Sequence, residues 1–139
     1  MKFNLLALAC ALLLAFGLSV GSFAGSLADA DTDGVPDIYD NCQDAANGPL
    51  AGACNDQQDG DVDGYGNACD TDFNNDGETG LDDLNTMINA VGNNDLETDL
   101  NCDGETGLDD LNTTINDVGS NPGPSALPCA GTGAACPPV

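Results

Sequence analysis

Asp72-Phe73-Asn74-Asn75-Asp76-Gly77-Glu78-Thr79-Gly80-Leu81-Asp82-Asp83 is followed 27 residues on by Asp99-Leu100-Asn101-Cys102-Asp103-Gly104-Glu105-Thr106-Gly107-Leu108-Asp109-Asp110. The likeness continues to Gly92 and Gly119, so that 17 of 21 positions agree between the two copies. Each copy has two halves. The first places oxygen-bearing side chains at positions 1, 3 and 5 of a twelve-residue stretch, glycine at 6 and aspartate at 12. Alternate acids turn their carboxylates to one side of the chain, and the glycine permits the bend that a side chain would obstruct. This is the spacing by which one loop wraps a Ca²⁺ ion, with a backbone carbonyl as donor at position 7. In the second half Leu81, Leu84, Ile88 and Val91 fall at helical spacing, as do Leu108, Leu111, Ile115 and Val118. Gly92 and Gly119 stand where helices stop. The expected unit is a loop and one short amphipathic helix, made twice. Neither apolar stripe can be buried alone, so the helices are expected to pack together across an approximate twofold axis.

Working towards the N-terminus, the same spacing occurs twice more, at Asp29–Asp40 and Asp59–Asp70. The candidate ligands of loop one are Asp29, Asp31, Asp33, the Val35 carbonyl, Asp37 and Asp40; those of loop two are Asp59, Asp61, Asp63, the Tyr65 carbonyl, Asn67 and Asp70. In loop three they are Asp72, Asn74, Asp76, the Glu78 carbonyl and Asp83; in loop four, Asp99, Asn101, Asp103, the Glu105 carbonyl and Asp110. Gly80 and Gly107 at position 9 offer no side chain, which leaves that place to water. The expected complement is about four Ca²⁺ ions.

Position 12 is aspartate throughout, not the longer glutamate of high-affinity sensors, and affinities near ~10⁻⁴ M or somewhat tighter are expected. At calcium a hundredfold above the dissociation constant each site adds about 2.7 kcal/mol to folding, and four sites on the order of 10 kcal/mol. A calmodulin-type switch needs a Met-rich groove; beyond the leader the chain has only Met87.

Composition makes the same demand. The chain carries 24 acids, one basic residue and no histidine, a net charge of −23. Without counter-ions such repulsion opposes any compact state, and nucleic acid and anionic membranes are excluded as electrostatic partners. A chain with so few large apolar residues needs metals or disulfides in place of a core. The basic residue, Lys2, precedes an apolar run through Val20, with small-residue cleavage options near 24 or 28. Residues 1–28 are therefore read as a secretory signal peptide, and no membrane insertion is expected once it is removed. Six cysteines remain, Cys42, Cys54, Cys69, Cys102, Cys129 and Cys136, which in an exported chain imply three disulfides with about 15 possible connectivities.

Residues 29–71 have almost no helical periodicity and read as irregular backbone wound around ions. With their Asp-x-Asp-x-Asp-Gly runs, Asp40-Asn41-Cys42 and Cys69-Asp70, they resemble thrombospondin type 3 repeats. That resemblance implies calcium and disulfides in place of a core, and a Cys42–Cys69 bridge. Asn47 to Ala53 and Cys54 depart from the pattern and leave Cys42–Cys54 open. Only Asp70 and Thr71 separate loops two and three, so loop three has no incoming helix. Residues 72–119 thus resemble a type I dockerin repeat pair, a half EF-hand made twice, which implies a cohesin-type receptor as partner. Loop positions 10 and 11, Leu81-Asp82 and Leu108-Asp109, differ from the small hydroxyl pairs common in that family. Residues 120–139 are a Pro- and Cys-containing extended tail, in which Cys129 and Cys136 could close a small loop or one could reach Cys102.

The expected fold class is small and loop-rich, stabilised by calcium and disulfides: a thrombospondin type 3-like segment followed by an α-helical dockerin-like pair. With no histidine and nearly every aspartate at a ligand position, no enzymatic activity is expected. Three functions fit: a calcium-rigidified subunit of an extracellular fibre, surface or matrix, acting by self-association or on other extracellular proteins; a dockerin-like adaptor; or an acidic calcium buffer or mineral-binding protein. No catalytic cargo accompanies the loops, which speaks for the first.

Overall fold

The computed structural model describes residues 27–136; the signal-peptide reading falls almost wholly on residues outside them. Two α-helices are present, α1 (Leu81–Ala90) and α2 (Leu108–Asp117), with one 3-10 turn at Asn67–Cys69. Everything else described is turn and irregular chain. Both helices begin at loop position 10 and end before a glycine with positive φ, 85° at Gly92 and 88° at Gly119, a conformation glycine adopts without the penalty a Cβ brings.

α1 and α2 lie against one another, and the two copies exchange equivalent bonds. The Thr79 N–H donates to the Ser120 carbonyl and the Gly119 N–H to that of Thr79; likewise Thr106 donates to Asn93 and Gly92 to Thr106, all at 2.8–2.9 Å. The hydroxyls of Thr71 and Thr79 meet at 2.7 Å, and their counterparts Thr98 and Thr106 at 2.8 Å. Such reciprocity is what an approximate twofold axis requires.

The inward helix faces are not the ones the apolar stripes predict. Asp83, Met87 and Ala90 are buried on α1 and Asp110 and Thr114 on α2. Leu81 is 75 % exposed, Leu108 74 %, Ile88 53 % and Ile115 51 %. The cause lies in the loop. Asp83 and Asp110 occupy position 12 and also the third helical residue, and each must fold back over its loop. Fixing that side chain inward fixes the rotation of the helix, so residues four and seven further on point inward with it. Closing the loop decides the helix face; the hydrophobic stripe does not.

The interior is correspondingly polar. Its apolar members are Cys42, Cys54, Met87, Ala90, Leu100 and Cys136, against a larger set of buried Asp, Asn and Thr. Three disulfides brace it: Cys42–Cys69, Cys54–Cys102 and Cys129–Cys136. The first is the bridge the thrombospondin resemblance implies. The second was not among the pairings the sequence suggested, and it ties the first two loops to position 4 of loop four. The tail lies across loop two. The Gly123 N–H donates to the Cys69 carbonyl, Ser125 Oγ to that of Gly64 at 2.6 Å, and the Cys136 N–H to that of Val62 at 2.7 Å. No helix among the described residues is long and apolar enough to cross a membrane.

Candidate metal centres

All four loops adopt one turn. Position 4 is left-handed in each: Thr32 at φ 62°, Val62 at 64°, Asn75 at 58° and Cys102 at 57°. Position 6 follows with φ of 95–99° at Gly34, Gly64, Gly77 and Gly104. For β-branched Thr32 and Val62 a positive φ is costly, so the turn is held against local preference by the bonds around it.

The hydrogen bonds repeat as well. The position-6 N–H donates to the position-1 carboxylate in every loop: Gly34 to Asp29, Gly64 to Asp59, Gly77 to Asp72 and Gly104 to Asp99, at 2.7–3.2 Å. The position-5 N–H donates to the side chain at position 3, namely Asp31, Asp61, Asn74 and Asn101. The N–H groups of Val35, Tyr65, Glu78 and Glu105 donate to the carboxylates of Asp33, Asp63, Asp76 and Asp103. Each loop thus gathers positions 1, 3 and 5 to one side. Asp29, Asp31 and Asp33 bring carboxylate oxygens within 4.8 Å of one another, and Asp59, Asp61 and Asp63 do the same. Loops three and four have asparagine at position 3 and so gather fewer acids.

Position 12 is reached differently in the two regions. Asp83 accepts from the N–H groups of Asn74 and Gly80, and Asp110 from those of Leu100, Asn101 and Gly107. Both oxygens of each are engaged. Asp40 is fully buried with Oδ2 unpartnered, and Asp29 Oδ1 and Asp31 Oδ2 are also buried without partners. Asp31 feels the charges of Asp33, Asp40 and Asp29. A buried acceptor left unsatisfied costs about 1–3 kcal/mol, more when charged. Three such oxygens in one loop, with no cationic side chain among the described residues, fit a divalent cation of the hard, oxygen-seeking kind.

The two position-9 candidates with side-chain oxygens also accept backbone bonds. Asp37 Oδ1 accepts from the Ala30 N–H at 2.7 Å. Asn67 accepts from the Gly60 N–H at 2.8 Å and donates to the Leu96 carbonyl. Both hold chain segments together around their loops.

Six of the loop carboxyls resist ionisation among their neighbours. Burial first, with the like charges of Asp63, Asp61 and Asp72, pushes Asp70 up to about 8 against the bond it accepts from the Asp72 N–H. Burial and the charges of Asp61, Asp59 and Asp72 raise Asp63 to about 6. Asp31, Asp40, Asp59 and Asp72 are raised too, each chiefly by burial. A cation among these groups reverses the balance, because the ionised form is then the favoured one.

Sequence reasoning missed Gln57, Asn41 and Asn47, which surround Asp40. Asn41 and Asn47 are buried, and the N–H groups of Asn47 and Gly48 donate to Asp33 Oδ2. The segment that departs from the repeat pattern therefore folds back onto loop one. Its only signal in the sequence is the density of amide side chains between two acid runs.

Comparison with known proteins finds a likeness at loop one. Residues 28–49 match the model of the thrombospondin type 3 repeat. No curated protein and no solved structure matches the chain. The repeat is an extracellular calcium-binding module rather than an enzyme family, and the three disulfides suit an oxidising compartment. Loop one is thus similar to a thrombospondin type 3 repeat, within a small, loop-rich, disulfide-braced fold whose acidic clusters suit calcium.

Proposed function

We propose that this chain is a secreted structural protein, a subunit of an extracellular fibre, surface or matrix assembly that four calcium ions rigidify. The ligands are those named at positions 1, 3, 5, 7 and 12 of the four loops, with Asp37 and Asn67 at position 9 of the first two. The observation that carries the assembly role is the outward apolar face of each helix. Leu81 and Ile88 on α1, and Leu108 and Ile115 on α2, are more than half exposed at equivalent places in the two copies; Leu50 and Leu96 are exposed as well, but on irregular chain without such a counterpart. Exposed apolar residues recurring at equivalent places mark a surface with a partner. Two equivalent copies on one subunit allow it to engage two neighbours, each by a contact of like face with like face, and a subunit with two such faces can extend an assembly. Calcium would serve twice, by fixing the helices and by neutralising charge that otherwise keeps subunits apart.

Electron microscopy of the secreted protein with and without chelator tests this. Filaments or large oligomers that disperse in EGTA are the expected result; a calcium-loaded chain that stays monomeric at high concentration removes the assembly role. The duplicated loop and helix with its reciprocal bonds favours a second reading as a dockerin-like adaptor, against which Leu81-Asp82 and Leu108-Asp109 differ from the family's hydroxyl pairs. A calcium-loaded monomer that captures cohesin modules selects that one.

A further inference from the structure

Asp40 sits at position 12 of loop one with no helix to carry it. A carboxylate turns easily about its last torsion, so something outside the loop must hold its face. Two donors share Oδ1: the Cys42 N–H at 2.9 Å and Gln57 Nε2 at 2.8 Å. Gln57 is itself fixed from every side. Its Oε1 accepts from the Asn41 N–H at 2.9 Å, its carbonyl accepts from Asn41 Nδ2 at 2.9 Å, and its N–H donates to the Asn47 carbonyl at 2.9 Å. Its Nε2 also donates to Asn47 Oδ1, and its backbone has φ of 55°. The remaining oxygen, Oδ2, is buried and unpartnered, as are Asp29 Oδ1 and Asp31 Oδ2.

We propose that Gln57 is a positioning residue for calcium at loop one: by pinning Asp40 Oδ1 it presents Oδ2 to the ion. The proposal rests on the reading of loop one as a calcium site. The chemistry calls for an amide. One end must donate to a carboxylate while the other accepts from a backbone N–H; glutamate lacks the donor and lysine the acceptor. Gln57 lies 17 residues beyond Asp40, between loops one and two and outside the twelve residues of either, so it adds a support that the loop spacing does not contain. Residues that orient ligands typically govern metal affinity by about 10–100-fold.

The chain has two tyrosines and no tryptophan, which makes single loops visible by tyrosine-sensitised terbium luminescence. In a Tyr65→Phe protein only Tyr39, beside Asp40, can sensitise the ion, and calcium competition then reads loop one. In a Tyr39→Phe protein, Tyr65 reads loop two. Gln57→Glu and Gln57→Ala are expected to weaken calcium at loop one by about 10–100-fold and to leave loop two within about twofold. In an Asp40→Asn background Gln57→Ala should add almost nothing, because its effect passes through Asp40. Unchanged loop-one affinity, an additive loss in the Asp40→Asn protein, or an equal loss at loop two overturns the proposal. Absence of a Tyr39-sensitised signal in the Gln57 protein removes the calcium reading of loop one itself, and this proposal with it.

Discussion

In loop one Asp40 arrives at position 12 on irregular chain, held by Gln57 and by the backbone of Cys42. In loop three the same position is the third residue of α1, and Asp83 bonds back to Asn74 and Gly80. The turns themselves do not differ: the left-handed residue, the glycine and the three bonds from backbone to side chain recur in both. The twelve-residue loop is therefore the autonomous part, and what closes it is interchangeable. A helix closes it by rotation, and an amide network closes it by pinning. The helix-closed loops satisfy position 12 with their own N–H groups. Loop one leaves an oxygen unpartnered and is more dependent on an ion.

Removing calcium strikes both regions and has the largest expected effect. Four sites at a hundredfold excess over their dissociation constants contribute on the order of 10 kcal/mol, as much as a whole domain's ordinary stability. Calorimetry in millimolar EGTA should show only a residual transition, far below the temperature of the one seen in calcium. An unchanged melt would mean that the polar interior and disulfides suffice, and the contrast between the closures would lose its energetic meaning.

Next comes the bond joining the regions. Cys54–Cys102 spans 48 residues, for which the loop-entropy relation gives about 4 kcal/mol. A Cys54→Ser/Cys102→Ser protein in calcium should lose about that much in denaturant melts. Its single transition should split, with loops one and two separating from the helical pair. One transition, merely shifted, would show that contacts such as Asn75 Nδ2 donating to Asp61 couple the regions unaided.

These regions were unequally legible. Ligand spacing and helix limits are local properties, so all four loops, both helices and both terminating glycines follow from residue order alone. The inward helix face does not, since Leu81 and Ile88 win on hydrophobicity while Asp83 wins on geometry. Cys54–Cys102 depends on which irregular segments meet in space. Gln57 depends on a chain reversal through positive φ that no periodicity announces.

The acids of loop two give a smaller, pH-dependent effect. In the metal-free fold Asp70 is raised to about 8 and Asp63 to about 6, well above an unfolded aspartate near ~3.9. The folded, metal-free chain therefore holds more protons than the unfolded one between those limits, and loses stability as pH rises through them. Calcium requires the ionised carboxylates and displaces the protons, so affinity runs the other way, tightening as pH rises. Read through Tyr65, calcium at loop two should tighten up to about tenfold per unit from pH 6 to 8, the limit for one displaced proton. Asp70→Asn should flatten the dependence, and no proton release on binding at pH 7 would remove it.

The finest distinction concerns the two closures themselves. Asp83→Asn takes a charged acceptor from the first turn of α1, where it caps Gly80 and faces the positive end of the helix. It should destabilise the chain by about 1 kcal/mol even in chelator. Asp40→Asn removes a charge that is buried beside Asp29 and Asp33 and whose ionisation burial disfavours, while keeping an acceptor for Cys42 and Gln57. In chelator it should be neutral or stabilising, and in calcium it should destabilise through lost affinity at loop one. Opposite signs for the two variants in EGTA, with the same sign in calcium, are the signature of one turn closed by two means. Losses of equal sign and size in EGTA would mean that Asp40, too, is held by the protein alone, and that its unpartnered oxygen has no ion to serve.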